Sequence, residues 1–114
     1  MDELKMLRSL LDSIPYPVVF IDTDHIIRYL NKRAKYHYYQ ERGYSELVGK
    51  SLFECHSEKS AEMIKKTVEK FRNHHYEVFL GVNVRNERTY IVPVRDEEGG
   101  LIGYYERFEK NLQK

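Results

Sequence analysis

The stretch RTYIVPVRDEEGGLIGYYERF, residues 88–108, decides how this chain folds. Tyr90, Val92 and Val94 alternate with Thr89, Ile91, Pro93 and Arg95, the period of two that marks a strand. Asp96-Glu97-Glu98-Gly99-Gly100 is a short hairpin loop whose glycines are free to take positive φ. Leu101 to Arg107 returns as a partner strand, with Ile102 and Tyr104 on one side. Just upstream, Tyr76, Val78, Leu80 and Val82 alternate with Glu77, Phe79 and Gly81, and Asn83 to Glu87 is a turn. The last third of the chain is therefore three strands joined by hairpins.

Working outward, the spacing predicts a longer helix before these strands. Ser57 can cap it, and Glu58 in the first turn suits the helix dipole. Ala61, Ile64, Val68 and Phe71 form its apolar stripe, while Lys65, Lys66, Glu69 and Lys70 face water. It ends near Asn73 and the pair His74-His75. Three short helical pieces precede it: Lys32 to Gln40, Tyr44 to Val48 closed by Gly49, and Ser51 to Glu54. Before those, Val18 to Ile21 and Ile26 to Leu30 are β-branched and aromatic, a hairpin turning at Asp22 to His25. At the start, Leu4, Leu7, Leu11 and Ile14 share one face of a helix that Pro15 and Pro17 stop. This order gives an α+β domain. It has a five-stranded antiparallel sheet, short helices and one longer helix on one face, and an N-terminal flanking helix.

Composition narrows the function. A chain of 114 residues fits one domain. Lys+Arg is 19 against 18 Asp+Glu, so no long-range field draws nucleic acid or an anionic membrane. No apolar run approaches the roughly 18 residues of a membrane span. The start, MDELKMLRSLLDSIP, carries acids and does not read as a signal peptide. One cysteine, Cys55, allows no internal disulfide and points to the cytoplasm. Neither G-x-G-x-x-G nor G-x-x-x-x-G-K-[ST] occurs, so nucleotide-dependent catalysis has no support, and no enzyme is expected.

Three stretches in sequence order, LLDSIPYPVVFIDTDHIIRYLN (10–31), YSELVGKSLFECH (44–56) and the opening quotation (88–108), resemble a PAS domain. The first includes the Asn31 that commonly follows the opening hairpin. The second has the Gly49-Lys50-Ser51-Leu52 step, and the third a strand ending Pro93-Val94-Arg95-Asp96 before Gly99 and Leu101-Ile102-Gly103. The resemblance divides the chain into a flanking helix (1–14), a PAS domain (15–109) and a short tail (110–114). It implies a small pocket between sheet and helices that holds haem, flavin, a metabolite or nothing. It also implies a homodimer formed through the first helix, by Leu4, Leu7, Leu11 and Ile14, and an output domain in a larger signalling or transcription-regulatory protein. Arg107-Phe108-Glu109-Lys110-Asn111 stands where such domains often continue with Asp-Ile-Thr, so the chain is expected to be a fragment or to send its signal by another route.

Strand parity, helix face and the resemblance together place Tyr36, Phe53, His56, Ile64, Val68, Val78, Val92, Ile102 and Tyr104 around the pocket. A small organic ligand is the leading expectation. A packed interior serving only dimerisation or docking is the alternative, and a haem-based gas or redox sensor ligated by His56 is a further one. Leu52 occupies the position of the reactive cysteine in light-sensing flavin relatives, so a flavin photoadduct is not expected. Cys55-His56 lacks an orienting third group for nucleophilic catalysis. His25 and His74-His75 read as polar loop residues rather than metal ligands. Tyr36, His37, Tyr38 and Tyr39 follow Lys32, Arg33 and Lys35, but without a basic domain they read as pocket wall and solvated charge, not a nucleic-acid platform.

Overall fold

The computed structural model describes residues 1–73 and 76–112, apart from the side chain of Cys55. Strands β1 (Val19–Asp22), β2 (Ile27–Leu30), β3 (Val78–Val82), β4 (Glu87–Arg95) and β5 (Leu101–Lys110) form one sheet in the order β2-β1-β5-β4-β3. Every neighbouring pair is antiparallel. The first and last strands thus lie side by side at the centre. The long crossover from β2 to β3 carries the helices that cover one face: α2 (Lys32–Lys35), continuing as a π-helical turn (Tyr36–Glu41), a 3-10 turn (Leu52–Cys55) and α3 (Glu58–Phe71). The flanking helix α1 (Glu3–Asp12) precedes β1.

Local chemistry explains most boundaries. Ser57 caps α3, its Oγ accepting from the Ser60 amide at 3.2 Å. Ile64, Thr67, Val68 and Phe71 are its buried face. The guanidinium of Arg95 donates to the Phe71 carbonyl, a cation at the negative end of the helix. In the β4–β5 loop, Gly99 has φ 87° and the Asp96 carboxylate accepts from the amides of Glu98 and Gly100. At the sheet centre β1 crosses so closely over Gly103 that a Cβ there would sit 2.5 Å from the Phe20 ring.

Two segments depart from expectation. Tyr44 to Val48 is not helical. The Tyr39 hydroxyl accepts from the Leu47 amide at 3.1 Å and the Glu46 carboxylate from the Val48 amide at 3.0 Å, so side chains satisfy the donors a helix would have used. The helix expected over 32–40 opens after Lys35 into the wider π turn, closed by the Arg42 amide donating to the His37 carbonyl at 3.1 Å.

Asn31 ties these pieces together and is fully buried. Its Oδ1 accepts from the amides of Val18 and Ala34, both at 2.9 Å. Its Nδ2 donates to the carbonyls of Leu11 at 2.9 Å and Tyr16 at 3.1 Å. One side chain thus caps α2, holds the entry to β1 and pins the end of α1.

Replacing Asn31 with Ala takes this partner from the Val18 and Ala34 amides and the Tyr16 carbonyl, while the Leu11 carbonyl keeps the Ile14 amide at 3.2 Å, and urea unfolding is expected to show a loss of roughly 3–5 kcal/mol. Asn31→Asp keeps the cap but sets a carboxylate against two carbonyls, so it too is expected to destabilise clearly. An aspartate as stable as the parent would reduce Asn31 to a helix cap.

Candidate functional site: a cavity between sheet and crossover

Side chains from all five strands and from the crossover enclose a cavity of about 260 Å³. Its apolar wall comes from Val19 and Ile21 on β1, Ile27 on β2, Leu80 on β3, Ile91 on β4, and Leu47, Leu52, Met63 and Ile64 from the crossover. Its polar lining is Tyr38, Arg42, Tyr44, His56, Ser60, Tyr104 and Glu106. Mostly apolar walls with a few polar groups are the usual make-up of a small-molecule site.

Of the residues the sequence placed around a pocket, His56, Ile64 and Tyr104 stand in the cavity wall. Val68 is 3 % exposed and sits in the packed core, and Val78 packs against that core. Phe53 is half-buried, with its ring centroid 4.7 Å from that of His25. Tyr36 is 52 % exposed and borders an outer groove with Ile14 and Arg33. On β4 the faces are the reverse of the expected ones: Ile91 lines the cavity, and Val92 belongs to the opposite face. Both faces of that strand are apolar, so alternation alone could not choose between them. Ile102 is the extra residue of a bulge, because Val94 pairs with Gly103 and Arg95 with Leu101, and it is 43 % exposed.

Sequence reasoning passed over Arg42, Leu80, Ile91 and Glu106. For Glu106 a signal existed: it lies two residues from Tyr104 on the same strand and so shares its face.

Electrostatics inside the cavity are uneven. The Tyr104 hydroxyl lies 2.7 Å from Nδ1 of His25. Burial pushes the Tyr104 pKa up, and burial followed by the Lys65 charge pulls that of His25 down. Both effects favour neutral partners, so the hydroxyl donates and the ring nitrogen accepts. His25, in the β1–β2 turn as expected, is half-buried there and buttresses the cavity wall through Tyr104. Nδ1 of His56 lies 2.8 Å from the Leu52 carbonyl, to which it donates. Arg42 lies over the rings of Tyr38 and Tyr44, at 5.9 and 5.0 Å from their centroids, and donates to the Tyr44 hydroxyl at 3.1 Å. Glu106 is solvent-reachable because it faces the cavity, yet protein surrounds it and burial raises its carboxyl pKa.

A family model described as a PAS domain matches residues 7–109. The chain belongs to the PAS domain family. Among curated proteins none matches. Among solved structures, the PAS fold here is similar to the C-terminal domain of a protein from Streptococcus mutans, at 22 % identity and TM-score 0.71, covering 96 % of this chain and 85 % of that one. It is similar to the PAS domain of a protein from Colwellia psychrerythraea, at 18 % identity and TM-score 0.68, over 99 % and 100 % of the two chains. A sensory box sensor histidine kinase from Vibrio cholerae matches at 17 % identity and TM-score 0.61, over 94 % and 90 %.

The cavity's volume of about 260 Å³ lies just below the roughly 300–1,000 Å³ typical of drug-sized sites. Among the described residues no three His, Cys, Asp or Glu side chains converge as a metal site. The pair His74-His75 and the Cys55 thiol lie outside the described residues. No helix among the described residues is long and apolar enough to cross a membrane.

The raised pKa of Glu106 has a definite sign in stability. Its ionised form is disfavoured in the fold, so it costs stability as pH rises above the usual glutamate value of 4.5. Glu106→Gln removes that cost. The variant is expected to unfold at higher urea than the parent at pH 7, with the gap closing as pH falls towards the unfolded-state value. A gap that does not change with pH would contradict the assignment.

Proposed function

We propose that this PAS domain is a sensory module that takes a small, largely apolar molecule into the cavity and works as a dimer through α1. It acts by binding, not by catalysis. The observation that carries this is the cavity itself, walled by every strand of the sheet and by the crossover, with polar groups at a few points. A guest there would touch β1 to β5 and α3 at once. It could therefore favour one setting of sheet against helices over another, a population shift that binding energy drives. The histidine-kinase neighbour supports a place in signalling, where such a module would answer to an output domain.

The dimer rests on α1. None of its residues is buried, and Leu4, Met6, Leu7 and Leu10 are exposed. Leu11 and Ile14 are half-buried, and Asn31 pins the Leu11 carbonyl. An isolated helix of ten residues is marginal in water, so a partner surface is needed to hold its free apolar half. A second copy of the same helix offers a self-complementary one.

Mass spectrometry under native and then denaturing conditions tests the ligand. The parent protein is expected to release a small molecule that Leu80→Trp, which fills the cavity, no longer carries. Light scattering is expected to show dimers of both, and monomers for Leu7→Glu. An empty parent that gains nothing from a metabolite mixture, or a monomeric parent, would remove the corresponding half of the proposal.

A further inference from the structure

The cavity wall holds one carboxylate, Glu106, and one guanidinium, Arg42. The Glu106 carboxylate makes no hydrogen bond or ion pair among the described residues. The strand's other acid, Glu109 on the outer face, meets Arg88 at 3.5 Å and Arg107 at 3.7 Å. Across the ladder the Cα partner of Glu106 is Ile91, an apolar residue that lines the same cavity. The cavity's cation, Arg42, is already engaged with Tyr38 and Tyr44. His56 holds the Leu52 carbonyl. Tyr104 is committed to His25.

A carboxylate that faces a cavity with no ion pair of its own offers a bound cation a charge-assisted hydrogen bond. The neighbours of Glu106 suit such a guest. Tyr104 and Phe108, two residues either side on β5, share its face and line the cavity. The electron-rich faces of aromatic rings attract ammonium groups. Elsewhere the wall is aliphatic, from Val19, Leu80 and Ile91.

We propose that the cavity binds a small organic ammonium ion, its charged head on Glu106 between Tyr104 and Phe108 and its apolar body against the aliphatic wall. This rests on the cavity being a ligand site and adds the chemical class of ligand. It assigns Glu106 as the residue that sets specificity. A neutral molecule of the same shape leaves the carboxylate unpaired.

Three probes of one shape test it by calorimetry at low salt: isopentylammonium, isopentyl alcohol and 4-methylpentanoate. The ammonium is expected to bind the parent at least about tenfold more tightly than the alcohol, the difference between a charge-assisted and a neutral hydrogen bond. Glu106→Gln is expected to bring the two within about twofold while retaining alcohol binding. Equal binding of ammonium and alcohol by the parent, a preference for the carboxylate, or an ammonium preference that survives Glu106→Gln would overturn the assignment while leaving a ligand cavity in place. If none of the probes binds either protein but native mass spectrometry finds a guest, the ammonium class falls alone. If no guest is found either, the ligand cavity falls with it.

Discussion

The carboxamide of Asn31 is the knot on which the rest of the domain depends. Four backbone groups from three segments, the end of α1, the entry to β1 and the start of α2, meet on one buried side chain. Two are carbonyls and two are amides, so only a group with both a donor end and an acceptor end can serve all of them. Because the knot lies where β2 passes into α2, it fixes the direction in which the crossover leaves the sheet. The crossover must then arch over the inner face before α3 returns to it. An arch that starts from a fixed point and lands on the packed faces of Val68 and Phe71 leaves space beneath it, and that space is the cavity.

The fold was largely legible in the sequence because its signals are local. Alternation marked the strands, the Asp96 to Gly100 loop marked the last hairpin, and Ser57 with the Ala61 to Phe71 stripe marked α3. The exceptions are instructive. Tyr44 to Val48, closed by Gly49, reads as a helical turn, yet Tyr39 and Glu46 meet its donors from the side. That substitution is tertiary and leaves no periodic trace. The site was less legible than the fold. Ile64 follows from the apolar face of α3, and His56 from the 3-10 turn it closes. On β4 both faces are apolar, because Tyr90 packs with Phe79 and the guanidinium of Arg107 on the outside while Ile91 faces in. Nothing in the alternation distinguishes them. On β5 the bulge at Ile102 breaks the parity one residue pair before Tyr104, and a bulge is a property of the paired strands rather than of either sequence.

The two faces of the sheet handle charge differently, and this separates structure from function. Outside, Arg107 is held by Glu77 in a two-pronged pair, and Arg88 lies over the Phe79 ring at 4.6 Å. These groups are partnered and partly in water, and each contributes little to stability. Inside, Glu106 faces the cavity between Tyr104 and Phe108 and opposite Ile91, with no side-chain partner among the described residues.

The central claim is that sheet and crossover leave an interior that a guest can enter. Xenon under pressure reports this directly through the methyl spectra of isoleucine-labelled protein, since the gas enters apolar voids and shifts the methyls that line them. The isoleucines divide cleanly: Ile21, Ile27, Ile64 and Ile91 line the cavity, while Ile14, Ile26 and Ile102 do not. The account predicts saturable shifts in the first group and not in the second. Shifts spread evenly over all seven, or absent from the first four, would contradict it.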